Sequence, residues 1–290
     1  MSASAQPCYA DHLTFRQVEV ECNEHVARDT YKLRFRCPEM AERFRPGQFL
    51  MVRLAGVEDP LIGRPFAMFD RVDGAGGSAE SIDFIYLVGG KLTSRLCNYR
   101  PGQLIEVWGP LGNGFPVVDT ERLILVAGGI GQTPFLTVAR EFLGQQQYGR
   151  LPTATGPRSV TLCYGARTKE YFAGLDQFRA AGIDVHLSTD DGSLGRHGFV
   201  TQLLEEHLAA SVGQTRHVMC CGPEPMMRAV AGITKEHGVN AHVSLETPMA
   251  CGIGICFSCV ALVADEQGNP DYRRTCVEGP VFDAHQLIWE

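Results

Sequence analysis

Four cysteines in the last part of the chain have the residue type and spacing of an iron–sulfur site. Cys251, Cys256 and Cys259 follow the pattern C-x4-C-x2-C, and Cys276 follows in the segment RRTCVEGPVFDA. This pattern is typical of plant-type [2Fe–2S] clusters, in which four thiolates point inward around two irons. The spacing therefore predicts that these four cysteines are the ligands of a [2Fe–2S] cluster.

The glycines between the first two cysteines support this prediction. Such a loop must fold tightly and turn N–H groups toward the sulfurs, and Gly252 and Gly254 permit that conformation. Structural zinc is the main alternative, but four-cysteine zinc sites usually contain two C-x2-C pairs. Only Cys256 and Cys259 form such a pair here. A disulfide does not suit a reducing compartment.

The other seven of the eleven cysteines are scattered along the chain. An odd number of cysteines in 290 residues does not suggest a disulfide framework. We interpret these seven as small apolar side chains in a reducing cytoplasm. They are Cys8, Cys22, Cys37, Cys97, Cys163, Cys220 and Cys221.

Three glycine-containing turns in the second half of the chain follow predicted strands. LVAGGIGQTP precedes a predicted helix, with Thr133 as its cap and Pro134 in its first turn. YGAR and CCGPEPMM follow two further strands, and ligands bind outside the carboxyl ends of strands in a doubly wound sheet. A tight turn without a ligand is the alternative for LVAGGIGQTP, which is not the G-x-G-x-x-G fingerprint. Together the turns predict a dinucleotide crevice with the candidate residues Gly128, Gly129, Gly131, Thr133, Gly165, Arg167, Cys221, Gly222, Pro223 and Met226.

Two segments in the first half are further candidates for cofactor contacts. In GRPFAMF, Pro65 favours extended backbone at Arg64, whose guanidinium suits phosphate; a solvated surface arginine is the alternative. In GPLGNGF, Gly112 and Asn113 belong either to a hairpin turn or to a floor under a flat ring.

The order of apolar patterns divides the chain into three parts. The first ~115 residues contain short strands separated by Pro and Gly turns, which favours a barrel or a sandwich. From about Glu121, strands and helices alternate, which predicts a parallel sheet covered by helices on both faces. A short segment from about Ala241 carries the clustered cysteines, and LPTATGPR near Leu151 is expected to be an exposed loop.

Composition excludes several classes of function. The net charge is −7 and the Lys and Arg residues are dispersed, so we expect no nucleic-acid partner. No run approaches about 18 apolar residues, so we expect no membrane span. The first residues, MSASAQPCYADHL, lack the basic and apolar regions of a secretory signal, so we expect a cytoplasmic protein.

Over nearly its full length the chain resembles the electron-transfer subunit of B-type dihydroorotate dehydrogenases, a branch of the ferredoxin–NADP reductase superfamily. The resemblance rests on motifs in a fixed order, of which the cysteine loop is the most specific. These motifs are GRPFAMF, IYLVGGKLTSRL, GPLGNGF, AGGIGQTP, YGAR, DDGSLGRHGFVTQLL, CGPEPMM and MACGIGICFSC…CVEGPVFDA.

The resemblance implies a β-barrel FAD domain (residues 1–118), an α/β doubly wound parallel-sheet NAD domain (119–240) and a small C-terminal [2Fe–2S] domain (241–290). In the family's Arg-Pro-x-Ser motif the Arg and the main chain contact the flavin nucleotide. The sequence departs from the family at Ala67, which replaces the Ser, and at Leu92, which replaces a Gly; backbone contacts with FAD remain available. The flavin residues implied are Arg64, Pro65, Phe66, Ala67, Ile85, Tyr86, Leu87 and Thr93.

The implied cofactors define an electron route. A nicotinamide gives two electrons as hydride, a cluster accepts one at a time, and a flavin does both, so FAD must lie between them. The resemblance implies a partner, an FMN-containing dihydroorotate dehydrogenase catalytic subunit, in a hetero-oligomer that we expect to be a heterotetramer. With this partner, electrons would flow from FMN through the cluster and FAD to NAD. No side chains suggest acid–base or nucleophilic catalysis.

Other functions use similar parts. An oxygenase reductase would need a complete ferredoxin domain of about 90 residues, and only the last ~50 residues are available here. The small subunit of an electron-bifurcating NADH–ferredoxin NADP reductase, or a hydrogenase-associated subunit, has a similar cysteine loop and stays open. A zinc-stapled interaction protein would be colourless, whereas the flavin hypothesis predicts a yellow-brown protein.

Overall fold

The computed structural model describes residues 13–150, 158–265 and 267–289. Cys8 and the loop expected near Leu151 lie outside these residues. Within the described ranges, no helix is long and apolar enough to cross a membrane.

The first part of the chain forms a closed barrel of six antiparallel strands, so the barrel is the correct one of the two predicted β architectures. Its elements are β1 (Thr14–Ala27), β2 (Thr30–Arg36), α1 (Pro38–Arg43), β3 (Phe49–Leu54), β4 (Arg64–Asp73), β5 (Ala79–Leu87), α2 (Lys91–Leu96) and β6 (Leu104–Leu111). Neighbouring strands follow the order β1-β2-β5-β4-β3-β6. Alternate side chains such as Leu33, Phe35 and Phe84 fill the interior.

The second part of the chain forms a seven-stranded sheet with helices between its strands. The elements are β7 (Arg122–Gly128), α3 (Phe135–Phe142), β8 (Ser159–Ala166), α4 (Leu175–Ala180), β9 (Asp184–Thr189), β10 (Arg196–His197), α5 (Val200–Ala210), β11 (Arg216–Cys221), α6 (Glu224–Glu236), β12 (Asn240–Ser244) and, after a hairpin of two further strands, β15 (Val281–Asp283). The strand order is β10-β9-β8-β7-β11-β12-β15. All these strands are parallel except β15, which runs antiparallel to β12.

Helices cover both faces of this sheet, as the alternating pattern predicts. Along β7, Leu123 and Leu125 pack with residues of α3 and α4, whereas Ile124 and Val126 pack with residues of α5 and α6. Burial on both faces explains why this strand is continuously apolar. The chain moves outward from β7 in one direction and from β11 in the other, so the topological switch point lies between these two strands.

The cysteine segment leaves the sheet after β12 and returns to it as β15. Between them lie the cysteine loop and the antiparallel hairpin of β13 (Val260–Ala264) and β14 (Pro270–Arg274). The predicted boundary between residues 240 and 241 falls inside β12. The division into three domains stays a prediction, and we propose that its second boundary lies after β12.

Candidate functional site

The structure brings the four predicted cluster cysteines together as two pairs. Cys256 lies close enough to Cys251, and Cys276 close enough to Cys259, for the neighbouring thiol to influence the pKa of Cys256 and of Cys276. Across the described ranges, no set of three or more His, Cys, Asp or Glu side chains is arranged to hold a single metal ion. Two neighbouring thiol pairs fit a two-iron cluster with four cysteine ligands.

The four thiols differ in exposure and acidity. Cys259 and Cys276 are buried and Cys256 is exposed. A hydrogen bond with the Ser258 hydroxyl, at 3.2 Å between Sγ and Oγ, lowers the pKa of Cys256 to about 6. Burial raises the pKa of Cys276 to about 12. Cys256 therefore offers a thiolate at neutral pH, whereas Cys276 has to release its proton when metal binds.

The loop glycines satisfy two requirements, one of which was not evident from the sequence. Gly252 and Gly254 have φ of 74° and 82°, so both adopt the left-handed conformation that a tight loop needs. In addition, a Cβ on Gly252 would lie 2.7 Å from Cγ of Met51 and 3.0 Å from Cδ1 of Leu111. The cysteine loop therefore lies directly on the outer surface of the barrel.

Asn113 joins the barrel to the cysteine segment. Its side-chain amide donates to the carbonyl oxygens of Glu278 and Val281, at 3.1 and 2.8 Å, and its Oδ1 accepts from the Val281 N–H. At Gly112, a Cβ would lie 2.5 Å from Cδ of Pro280. The two roles predicted for Gly112 and Asn113 are a hairpin turn and a floor under a flat ring. Neither of them predicts this contact between the barrel and the cysteine segment. The Asn113 side chain is fully engaged and has no hydrogen left to donate to a cofactor.

Trp108 of β6 is a site residue that the sequence did not reveal. Its indole Nε1–H donates to the carbonyl oxygen of Cys251 at 3.0 Å, so a barrel side chain holds the backbone of a cluster ligand. Trp108 directly precedes GPLGNGF and is one of two tryptophans. That position was the available signal, but it did not indicate the bond.

The predicted flavin motif lies at the start of β4. The Arg64 side chain is exposed and, in the part of the chain that the structure describes, donates only to the nearby carbonyls of Ile62 and Gly63, at 3.0 and 3.1 Å. Among the described residues it pairs with no carboxylate, so its charge is available to an anion. Pro65, Phe66 and Ala67 are half-buried.

The next predicted flavin residues alternate between two sides of β5. Tyr86 points into the barrel, where its hydroxyl donates to Oδ1 of Asn23 at 3.1 Å and its pKa is raised by burial. Ile85 packs on the outside with the core of the α/β part, and Leu87 is exposed. The outer surface of β5 therefore carries Ile85 and Leu87, and Tyr86 contributes only its main chain there.

Thr93 is buried at the start of α2, and its hydroxyl forms hydrogen bonds with backbone groups. Its Oγ1 accepts from the N–H groups of Gly89 and Gly90, at 3.1 Å each, and donates to the Gly90 carbonyl. Its neighbour Leu92, which replaces a family glycine, is buried. The Thr93 hydroxyl thus orders the turn after β5, which is the local role the structure supports.

Most of the predicted dinucleotide glycines lie where two loops touch. A Cβ on Gly131 would collide with the carbonyl of Cys221, and one on Gly222 would lie 2.6 Å from Cε of Met226. A Cβ on Gly128 would lie 2.7 Å from Sδ of Met226. These glycines let the loops after β7 and β11 pack closely at the switch point, which is a structural reason for them that needs no ligand.

Gly129 and Gly165 have different surroundings. Gly129 has φ of 55°, and a Cβ at this position would have no atom within 4 Å, so the residue faces open space. Gly165 lies next to the last residue of β8 and faces α5, where a Cβ would lie 2.7 Å from Cβ of Val200. Of the glycines in the predicted crevice, Gly129 is the one whose surroundings leave room for a ligand.

The prediction that Thr133 caps the helix after β7 is wrong. A 3₁₀ turn over Gly129–Gln132 precedes α3, so Thr133 already has helical φ and ψ and Pro134 is the N-cap. The Thr133 hydroxyl donates to the Ile130 carbonyl at 2.7 Å. An intervening turn shifts the helix start by one residue, which the spacing of apolar residues did not indicate.

The remaining candidates lie at the same edge of the sheet. Arg167 is exposed, with its guanidinium 5.2 Å from the centre of the Tyr171 ring. Pro223 is the N-cap of α6. Burial, with the nearby charge of Glu246, raises the pKa of the Cys221 thiol to about 12. Cys221 is therefore a neutral thiol at physiological pH and not a redox thiolate.

A cavity of about 330 Å³ lies between the barrel and the α/β part. Ile85 and Lys32 line it from the barrel, and the segment 172–179 lines it from the sheet side. Its volume is at the lower end of the range for small-molecule sites. The cavity places open volume beside the outer surface of β5, next to a predicted flavin residue.

A barrel, a parallel sheet with loops meeting at its switch point and a four-cysteine loop define an oxidoreductase with the ferredoxin-reductase fold. Residues 17–115 match the family described as an oxidoreductase FAD-binding domain, and residues 125–232 match the oxidoreductase NAD-binding domain. Residues 246–288 match the iron–sulfur cluster binding domain of dihydroorotate dehydrogenase B. The chain belongs to the family of dihydroorotate dehydrogenase B electron transfer subunits, and its cofactors are FAD, NAD(H) and an iron–sulfur cluster.

Curated relatives support this assignment over most of the chain. The electron transfer subunit of dihydroorotate dehydrogenase B (NAD(+)) from Caldanaerobacter subterraneus subsp. tengcongensis is 33% identical over 94% of this chain and 98% of its own. The protein of the same name from Desulforamulus reducens is 34% identical over 91% of this chain and 95% of its own.

Solved structures share the fold. The NADH-dependent reduced ferredoxin–NADP oxidoreductase, studied for flavin-based electron bifurcation, aligns with a TM-score of 0.76 and 26% identity, covering 94% of this chain and 90% of that one. Phthalate dioxygenase reductase aligns with a TM-score of 0.60 and 21% identity, covering 91% and 94%. The second likeness concerns the fold alone.

Proposed function

We propose that this chain carries electrons between the FMN of a dihydroorotate dehydrogenase catalytic subunit and NAD, through its own iron–sulfur cluster and FAD. The observation that carries the proposal is the four-cysteine loop, which lies on the outside of the barrel and exposes Cys256. The names of the relatives, which include both dihydroorotate dehydrogenase B and NAD(+), support the donor and the acceptor.

The residues of the chain position the carriers and perform no bond chemistry on dihydroorotate. Arg64, with no carboxylate partner among the described residues, would bind a phosphate of FAD. The turn at Gly129 would hold the pyrophosphate of NAD, and the four thiolates would hold two irons. FAD supplies the exchange between one-electron and two-electron transfer when it is bound.

The partner would contact the surface around Cys256. Four large apolar side chains of this segment are exposed: Ile255, Phe257, Val260 and Tyr272. Phe257 has φ of 54°, which is unusual for a residue with a side chain and keeps it beside the exposed ligand. Electrons pass between the partner and this chain through the cluster, so an apolar surface at its exposed ligand suits a permanent partner.

The test is to co-express the chain with an FMN-containing dihydroorotate dehydrogenase subunit and purify the complex. We expect a yellow-brown heterotetramer that reduces NAD⁺ when dihydroorotate is added, with its mass measured by light scattering. Phe257→Ser should weaken assembly, whereas Val212→Ser changes a comparably exposed apolar residue far along the chain and serves as the matched control. Assembly without dihydroorotate-dependent NAD⁺ reduction would contradict the proposal.

A second function, the small subunit of an electron-bifurcating reductase, is favoured by the likeness to the NADH-dependent reduced ferredoxin–NADP oxidoreductase. Mass spectrometry of proteins that co-purify from the native source separates the two. An FMN-binding dihydroorotate dehydrogenase supports the first function. A large iron–sulfur flavoprotein or a hydrogenase subunit supports the second.

We also propose that the complex operates in a reducing compartment such as the cytoplasm. The ten cysteines that the structure describes are all free thiols, as expected where disulfides do not persist. Fractionation of native cells, followed by immunodetection, tests this location.

A further inference from the structure

One row of side chains on the outer face of the barrel receives the cysteine loop. Phe15 of β1 lies opposite Trp108 of β6, and Trp108 lies opposite Met51 of β3. Directly opposite residues of antiparallel strands project from the same face. Met51 lies under Gly252 of the loop, and the Trp108 indole donates to the Cys251 carbonyl at 3.0 Å.

Trp108 also contacts the residues directly before β4, the strand that begins with the predicted flavin motif. A Cβ on Gly63 would lie 2.5 Å from Cη2 of Trp108, so the indole edge is packed against the backbone directly before Arg64. Phe15 packs on the other side, with its ring centre 6.3 Å from that of Trp108. A single side chain therefore contacts both the segment proposed to bind FAD and a ligand of the cluster.

We propose that Trp108 is a positioning residue that fixes the cluster loop relative to the flavin and so sets the rate of electron transfer between them. The inference rests on the proposed flavin role of residues 64–67. Each transfer moves one electron from reduced flavin to oxidised cluster, without forming or breaking a bond. In the test, which runs opposite to the proposed physiological direction, the hydride from NADH supplies two electrons, of which the cluster accepts one and the flavin keeps the other.

The hydrogen bond that Trp108 donates can be removed while an aromatic ring is kept at this position. Trp108→Phe keeps an aromatic ring between Phe15 and Met51 but loses the N–H that binds the Cys251 carbonyl. Substitution of groups that orient metal ligands typically costs 10–100-fold in activity or metal affinity. We expect an effect near the lower limit, because the four cysteine ligands stay in place.

The experiment follows flavin and cluster absorbance separately after anaerobic rapid mixing of the holoenzyme with NADH. In Trp108→Phe we expect the flavin to be reduced at the wild-type rate and the cluster to be reduced about 10-fold more slowly. The electron paramagnetic resonance line shape of the dithionite-reduced cluster should also change. Trp289→Phe, at the other tryptophan, should change neither property.

Three outcomes would contradict the inference. One is a wild-type rate of cluster reduction and an unchanged line shape. Another is loss of FAD with an intact cluster, which would limit Trp108 to supporting the barrel. If Trp108→Phe does not fold, Phe15→Leu loosens the same row with the indole N–H intact, and wild-type electron transfer in that variant would also count against it. Failure of NADH to reduce the wild-type cluster would instead contradict the proposed function.

Discussion

The cysteine loop and the loops at the switch point of the sheet are both rich in glycine, but their glycines have different purposes. Gly252 and Gly254 adopt left-handed backbone between thiols that can bind iron. Gly131 and Gly222 instead let two loops of the protein touch each other. A glycine marks a close approach of backbone, and only the side chains around it show whether a ligand or another loop approaches.

The largest expected effect is a loss of function in the cysteine loop that leaves the switch-point region unaffected. Cys276→Ser should abolish the cluster, because the buried thiol is one of four required ligands. Reduction of FAD by NADH should continue, since it depends on the other region. Cys97→Ser, at a thiol that donates to the Ser94 carbonyl far from the loop, is the matched control. Iron content and anaerobic absorbance check the result, and a folded Cys276→Ser protein that cannot reduce its flavin would contradict the electron order.

Alanine substitutions test whether the switch-point glycines serve packing or binding. Gly131→Ala should destabilise the protein by about 3 kcal/mol, because the new methyl group collides with backbone. Gly129→Ala should cost only about 1 kcal/mol for its positive φ, yet raise the KM for NADH about tenfold if the pyrophosphate lies there.

Denaturant unfolding and steady-state kinetics measure both effects. Gly232→Ala, in the middle of α6 with open space around it, is the control and should stabilise the protein by about 0.5–1 kcal/mol. An unchanged KM in Gly129→Ala would mean that the open glycine faces no ligand.

We expect the stability of the protein to depend on pH because of two histidines on β11 and β12, the strands that connect the switch-point loops to the cysteine segment. His217 of β11 lies 2.8 Å from His242 of β12, measured from Nε2 to Nδ1. Burial, followed by repulsion from His242 and opposed by attraction to Asp283, lowers the pKa of His217 to about 4. In the unfolded chain the His217 imidazole therefore takes up a proton near pH 6.5, whereas in the folded chain it stays neutral until about pH 4. The free energy of unfolding falls as the pH drops from about 6.5 to 4.

The expected loss reaches about 3 kcal/mol at the acid end of that window. Urea unfolding at several pH values measures it. His217→Asn should flatten the dependence, whereas His197→Asn, at an exposed histidine of β10, should leave it unchanged. Equal slopes in all three proteins would show that this pair does not control the acid response.

The smallest expected effect concerns the choice of dinucleotide. Binding of NADPH needs a cation near the ribose 2′-phosphate, and Arg167 and Arg196 are the candidates. Arg196 forms an ion pair with Glu206, which weakens its attraction for phosphate, so we expect more activity with NADH than with NADPH. Glu206→Gln should improve kcat/KM for NADPH a few-fold, and Glu205→Gln is the adjacent control. A wild-type preference for NADPH would contradict this view.

The sequence could predict the parts of the molecule that depend on local spacing. The cysteine pattern, the alternation of strands and helices after Glu121 and the short barrel strands all follow rules that operate within a few residues. The barrel and the parallel sheet have the predicted form.

The contacts between parts could not be predicted in the same way. Asn113 belongs to a glycine-rich turn, and nothing near it in sequence indicates that its amide binds the backbone of residues 278 and 281. The return of β15 to the sheet and the bond from Trp108 to Cys251 also join residues that are far apart in sequence. Such joints depend on where whole elements lie, which hydrophobic periodicity does not specify.

The measurement that tests the electron route most directly is rapid mixing of the anaerobic protein with NADH, followed by freeze-quenching and electron paramagnetic resonance. We predict that flavin absorbance bleaches first and that the signal of a reduced [2Fe–2S] cluster appears afterwards, with no signal in Cys276→Ser. A cluster signal that precedes flavin bleaching, or none in a protein with full iron and FAD, would contradict this route.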